Sequence, residues 1–249
     1  MRTSFRDLLG HKKPPIGTLL SLPSPEIAEV AAASGFDWLF LDMEHGLLDF
    51  VETQRMIQAV AGRCPCLVRV PTNDGPLISK SLDTGADGII FPHVNSAAEA
   101  GACVRAAKYP PQGSRSIGIA RAQGYGQRLA ADIAKANATI FLTAQAEHID
   151  AARAIDDILA VPGIDAVFIG PYDLSASLGI PGQVGAGPVT DAIESIRSAA
   201  MRRGIPAGIF AGTAEAAKED IRQGFDFICV ATDTLLLADA SRRLLDTLR

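Results

Sequence analysis

Apolar runs of about five residues recur eight times along this chain, at 16–22, 38–42, 66–70, 88–92, 139–145, 166–170, 206–210 and 226–231. Between them lie Ala- and Glu-rich stretches with apolar spacing of three and four, such as 25–34, 96–108, 150–159, 189–203 and 214–223, which read as helices. A run such as Ala166-Val-Phe-Ile-Gly170 does not alternate apolar with polar, so both faces of the strand are expected to be buried, as in a parallel sheet covered by helices. Eight strand-then-helix units predict one α/β domain over residues 1–249, a (β/α)8 TIM barrel. Gly35, Gly85, Gly163, Gly204 and Gly224 each stand shortly before a run, where a helix end or tight turn needs a positive φ.

The bulk numbers exclude several classes of partner. Of the 249 residues, 48% are hydrophobic and 20% charged, which suits one large core. Net charge is −5 and the Lys and Arg residues are scattered, so nothing attracts a phosphate backbone and no nucleic-acid partner is expected. Charges come early, at Arg2, Arg6 and Asp7, and no window approaches the roughly 18 apolar residues that span a bilayer, so the expectation is a soluble cytoplasmic protein without a membrane partner. Cys64, Cys66, Cys103 and Cys229 form neither a zinc pattern nor a disulfide framework and read as inert thiols. The stretch from Tyr109 to Asn137, which opens Tyr-Pro-Pro-Gln-Gly-Ser-Arg, interrupts the rhythm and is expected to be a lid or a subunit-contact element.

If the runs are barrel strands, their C-terminal ends gather chemistry at one mouth. Glu147 and Asp173 follow the fifth and sixth runs; two carboxylates without many His or Cys ligands suit a hard divalent ion such as Mg²⁺ or Mn²⁺, with Co²⁺ also possible. His45 follows the second run as a candidate general base, with Asp42 three residues earlier to orient it or raise its basicity. Arg69 ends an apolar run and needs an anionic partner, either a substrate carboxylate or enolate or an ion pair with Asp42 or Glu44. Gln145 ends the fifth run, Phe210 the seventh, and the turn at Gly170-Pro171-Tyr172-Asp173 can present backbone N–H groups to a small carboxylate. His93 and His148 are expected to pack or support, and Asp83, late in a helix, is a weaker candidate. No lysine closes a strand, which disfavours imine chemistry, and no dinucleotide fingerprint follows the first run.

Six ordered segments resemble the HpcH/HpaI family of class II pyruvate aldolases: Phe36 to Gly46, Arg69-Val-Pro, Thr84 to Pro92, Tyr109 to Arg115, Gln145-Ala-Glu147 and Gly170 to Ser175. The resemblance implies reversible cleavage of 4-hydroxy-2-oxo acids or 2-keto-3-deoxy sugar acids, through an enolate, to a 2-oxo acid such as pyruvate and an aldehyde, as in aromatic or sugar acid catabolism. It further implies a divalent metal on Glu147 and Asp173, His45 as base tuned by Asp83, and Arg69 stabilising the enolate. Gln145 and the backbone of Tyr172 and Asp173 would contact the 2-oxo acid. A homo-oligomer is implied too, a hexamer built as a trimer of dimers, with the long loop lining a neighbour's site. Tyr172 stands where the family usually carries alanine or serine, and His93 where methionine is frequent; the phenol would narrow the pocket or bond a polar aldehyde. The alternatives are an acyl-CoA lyase of the citrate lyase β-chain type, which would want a clustered Arg or Lys nucleotide site, and a non-catalytic barrel subunit.

Overall fold

The computed structural model of the protein describes residues 3–249, so Arg2 lies outside the described residues. Eight strands coincide with the eight apolar runs: β1 (Ile16–Leu20), β2 (Trp38–Asp42), β3 (Cys66–Arg69), β4 (Gly88–Phe91), β5 (Phe141–Ala146), β6 (Ala166–Ile169), β7 (Ala207–Ala211) and β8 (Phe227–Thr232). Each pairs in parallel with the next and β8 pairs with β1, closing the expected (β/α)8 barrel. The helices are α1 (Phe5–Leu9), α2 (Pro25–Ala33), α3 (Phe50–Val60), α4 (Gly75–Asp83), α5 (Ala97–Ala107), α6 (Leu129–Thr139), α7 (Ile149–Arg153), α8 (Ile155–Leu159), α9 (Pro171–Ser177), α10 (Gly187–Arg203), α11 (Ala214–Gln223) and α12 (Asp233–Leu248). The five glycines expected before strands all take positive φ, from 65° at Gly204 to 101° at Gly163. Among the described residues no helix is long and apolar enough to cross a membrane.

The core is split in two by the strands. One layer lies between barrel and helices; the other fills the barrel and is dominated by Trp38, Phe40, Phe141, Phe168 and Phe227. A Cβ on Gly17 would sit 2.4 Å from the Trp38 ring and one on Gly208 would sit 2.2 Å from Phe227, so only glycine on β1 and β7 leaves room for these rings. The short α1 seals the N-terminal end, its Phe5 ring lying 5.2 Å from Trp38, 4.8 Å from Phe141 and 5.3 Å from Phe227 in edge-on or tilted contacts. Phe5→Ala is expected to cost about 3–5 kcal/mol, the range for deleting a fully buried aromatic, read as a lowered denaturation midpoint. The four cysteines are buried, and burial pushes the Cys103 thiol up to about 12 and Cys229 higher still, which fits inert thiols.

The segment from Tyr109 to Asn137 is more ordered than its composition suggests, holding a 3₁₀ helix at Arg121–Gly126 and most of α6. It joins the end of α5 to the start of β5, so it runs along the N-terminal face and α4 and does not cover the mouth of its own barrel. The expectation of a lid is corrected on that ground; Ile117, Ile119 and Tyr125 on it are exposed, as in a contact element. At that face too lies the buried Lys108, its Nζ donating to the Asn137 carbonyl and its pKa lowered by burial. A desolvated lysine is therefore present, at the end of the barrel opposite the clustered acids.

Candidate active site

β2 and β3 place Asp42 directly beside Arg69 in register. Arg69 Nε donates to Asp42 Oδ1 at 2.8 Å and Nη2 donates to Oδ2 at 2.7 Å, a bidentate pair with both partners buried. Burial alone would lower the guanidinium pKa, but the bonds to Asp42 and the charges of Asp42, Glu44 and Glu147 raise it, so Arg69 stays charged. Asp42 Oδ1 also accepts from the backbone N–H of Glu44 at 3.0 Å and of His45 at 3.4 Å. Asp42 thus fixes the turn after β2 and the guanidinium, and its hydrogen bonds do not go to the His45 imidazole as expected. Gly46 completes the turn; a Cβ there would lie 2.2 Å from the Asp42 carbonyl oxygen.

That turn carries Glu44, which sequence reasoning named only as a possible partner of Arg69. Its Oε2 lies 3.2 Å from Arg69 Nε, and its Oε1 lies 3.0 Å from His93 Nε2. From the far side of the same imidazole, His93 Nδ1 is 3.1 Å from Oε1 of Glu147, which also accepts the His93 backbone N–H at 2.7 Å. Glu147 Oε2 accepts from Gln145 Nε2, while Gln145 Oε1 is buried with no hydrogen-bond partner and is free to meet a ligand. Burial raises the Glu147 pKa, partly offset by its bonds to Gln145 and His93. Gly170 after β6 is held against this group: a Cβ on it would come 3.1 Å from Glu147 Oε2. Pro171 then starts α9, with Tyr172 and Asp173 in its first turn.

A divalent cation fits this donor set. Glu44, His93 and Glu147 each offer a ligand atom, all within 4.8 Å of one another. Three buried or nearly buried carboxylates, Asp42, Glu44 and Glu147, face one guanidinium, so the pocket holds surplus negative charge that desolvation makes costly without a cation. Asp173, half-buried in the first turn of α9, is not among the three clustered donors.

Two more expected residues lie differently. The His45 side chain is 64% exposed and its Nε2 is 3.9 Å from Glu44 Oε2, at the open mouth where a base must meet substrate. Asp83 closes α4, which runs back toward the N-terminal end of the barrel, and its carboxylate takes Arg115 Nη2 at 2.6 Å and Gln123 Nε2 at 3.4 Å. The expected Asp83–His45 contact is therefore not made within one chain. Tyr172 is 49% exposed and packs edge-on against Phe210 at 6.1 Å, with its hydroxyl over Gly212. Beyond these two rings a cavity of about 580 Å³ runs between α10 and α11, lined by Asp191, Glu194 and Asp220 and, among the described residues, by no Lys, Arg or His.

Residues 16–240 match the family described as HpcH/HpaI aldolase/citrate lyase. The chain is 39% identical to the hydroxypyruvate/pyruvate aldolase of Paraburkholderia phytofirmans, over 98% of this chain and 97% of that one. It is 38% identical to the 2-keto-3-deoxy-L-rhamnonate aldolase of Escherichia coli, over 95% and 89% respectively. Among solved structures, an HpcH/HpaI aldolase/citrate lyase family protein from Burkholderia cenocepacia superposes with a TM-score of 0.94 at 33% identity, covering 98% of both chains.

Proposed function

The chain belongs to the HpcH/HpaI aldolase/citrate lyase family, and from that premise we propose that it is a divalent-metal-dependent aldolase, a carbon–carbon lyase that cleaves 4-hydroxy-2-oxo acids or 2-keto-3-deoxy sugar acids to pyruvate or a related 2-oxo acid and an aldehyde. The observation that carries this reading is the buried Glu147 at the mouth, bonded to Gln145 and His93 in a pocket with surplus negative charge. Glu147, with Asp173 as the second expected carboxylate, would hold a divalent ion, which would supply Lewis-acid polarisation of a keto oxygen. The ion itself is Mg²⁺, Mn²⁺ or Co²⁺.

The protein's own groups do the rest. Arg69, anchored by Asp42, directs its remaining Nη1 edge at the oxygen where enolate charge grows, a preorganised interaction that is strongest in the transition state. His45, exposed at the mouth, takes the C4 hydroxyl proton as the C3–C4 bond breaks; the bonding pair passes to the enolate and C4 leaves as the aldehyde carbon. Gln145 and the free N–H groups of Tyr172 and Asp173 at the start of α9 hold the 2-oxo acid. The acyl-CoA lyase alternative is the less supported reading: the similar proteins named above are aldolases, and among the described residues no Lys or Arg lines the cavity beside the mouth.

The aldehyde side is an uncharged, hydroxylated one. Asp191, in the first turns of α10, lines the cavity beyond Tyr172 and no Lys or Arg does so among the described residues, which disfavours a terminal carboxylate. Tyr172→Ala is expected to widen acceptance toward longer aldehydes and raise KM for short hydroxyaldehydes severalfold, with pyruvate deuteration unchanged.

A homo-oligomer completes the molecule. α12 leaves Leu235, Leu236, Leu237, Leu244, Leu245 and Leu248 exposed, a leucine-rich surface that a second copy covers. The hexamer, a trimer of dimers, is the assembly proposed, and an Asp83–His45 contact would be one between copies.

Deuterium uptake into the methyl group of pyruvate in heavy water tests the reading without a choice of aldehyde. Exchange that needs added metal and stops with chelator is expected; no exchange with any of the three ions would overturn the assignment.

A further inference from the structure

His93 touches both Glu44 and Glu147, yet the proposed reaction leaves it without a task. Three hydrogen bonds tie its turn down: Asn73 Nδ2 donates to the Pro92 carbonyl at 2.6 Å, the His93 N–H to Glu147 Oε1 at 2.7 Å, and the Val94 N–H to the Gln145 carbonyl at 3.3 Å. They hold His93 at φ +50°, in the left-handed region that a non-glycine residue enters only when its surroundings dictate it. The effect is to aim the imidazole between two carboxylates. Its Nδ1 stands 3.1 Å from Glu147 Oε1 and its Nε2 stands 3.0 Å from Glu44 Oε1.

Neighbouring ligands on one octahedral ion with bonds of about 2.1 Å stand roughly 3 Å apart, which is the separation of Nδ1 from Glu147 Oε1. The other ring nitrogen meets a carboxylate, the arrangement by which a metal-bound histidine is fixed in its tautomer. We propose that His93 is a nitrogen ligand of the divalent metal through Nδ1, beside Glu147, with Nε2–H donating to Glu44, and that this shifts the site's preference from Mg²⁺ toward nitrogen-binding ions such as Co²⁺. The inference rests on the metal site proposed above and assigns it a donor outside the expected Glu147 and Asp173 pair. Imidazole suits first-row transition ions, whereas Mg²⁺ takes oxygen and keeps its waters, so one nitrogen separates the two classes.

Electron spin-echo envelope modulation of the Mn²⁺-loaded protein reads the donor directly. Imidazole nitrogen modulation is expected in the parent protein and in His45→Gln, and is expected to be absent in His93→Met and in His93→Asn, the second variant being one whose side chain tolerates positive φ. Calorimetric titration of the same proteins is expected to show Co²⁺ affinity lowered about 10- to 100-fold in both His93 variants, with Mg²⁺ affinity close to that of the parent. Manganese bound with oxygen surroundings only, a Co²⁺ to Mg²⁺ affinity ratio unchanged by the substitutions, or no metal binding would each overturn the assignment. Nitrogen modulation without pyruvate deuteration would uphold the ligand and remove the aldolase reading; deuteration with an oxygen-only ion would do the reverse.

Discussion

Glu147→Gln is expected to abolish metal-dependent deuteration of pyruvate, with a loss of at least about 10² to 10³ in rate, the scale on which removing one fixed electrostatic group acts. The substitution conserves size and keeps an oxygen for the His93 N–H, so what is lost is the charge and the acceptor for Gln145 Nε2. It also reverses sign as a stability effect. Burial raises the Glu147 pKa, which means that the folded metal-free protein holds this proton more tightly than the unfolded chain. That contribution is complete below the unfolded value near 4.5 and is lost as pH rises through the raised folded value. In chelator at neutral pH, Glu147→Gln is therefore expected to be at least as stable as the parent. With saturating ion the order inverts, since binding at one hundred times Kd stabilises the parent by about 2.7 kcal/mol and the variant forfeits it. Thermal melts with and without metal check both halves; equal metal-induced shifts in parent and variant would remove Glu147 from the site.

The features legible in the sequence are those with local signals. Strands buried on both faces must be continuously apolar, so all eight appear at the expected places, and αβ turns that need positive φ announce themselves as glycine. Chain direction carried the ends of the strands too: Asp42, Arg69, Gln145 and Glu147 close their strands and meet at one mouth because parallel strands all end on the same face. The same directional rule, applied to helices, would have placed Asp83 and the Tyr109–Asn137 segment on the opposite face, since each barrel helix ends at the face where the next strand begins. Glu44 and His93 were harder. Each sits in a turn past a strand end, where side-chain direction depends on φ and ψ, and the positive φ of His93 has only a weak residue-type signature, since histidine, though enriched there over most residues, usually lies elsewhere. The exposed leucines of α12 show as an ordinary amphipathic period in sequence, and only the barrel reveals that nothing among the described residues covers them.

Arg69→Lys is expected to lower kcat by about 10² to 10³ while leaving net charge unchanged. Lysine offers a point charge on a flexible stem, whereas the guanidinium fork engages both Asp42 oxygens at 2.8 and 2.7 Å and so has one edge fixed and the other preorganised for the substrate. Phe40 underlies the group, its ring centroid 5.2 Å from the guanidinium carbon, and keeps water from that side. Arg69→Met asks the structural question separately. It strands the buried Asp42 without its cation, at a cost of about 3–5 kcal/mol for breaking a buried pair. Adding Asp42→Asn should recover part of that stability, since the residues touch and their effects cannot add. It should recover none of the rate. If the double variant regained activity along with stability, Arg69 would be a structural partner of Asp42 alone. Stability that returns without turnover would mean that the ion pair aims the guanidinium for the reaction, making its buried Asp42 an anchor for chemistry that happens on the other edge.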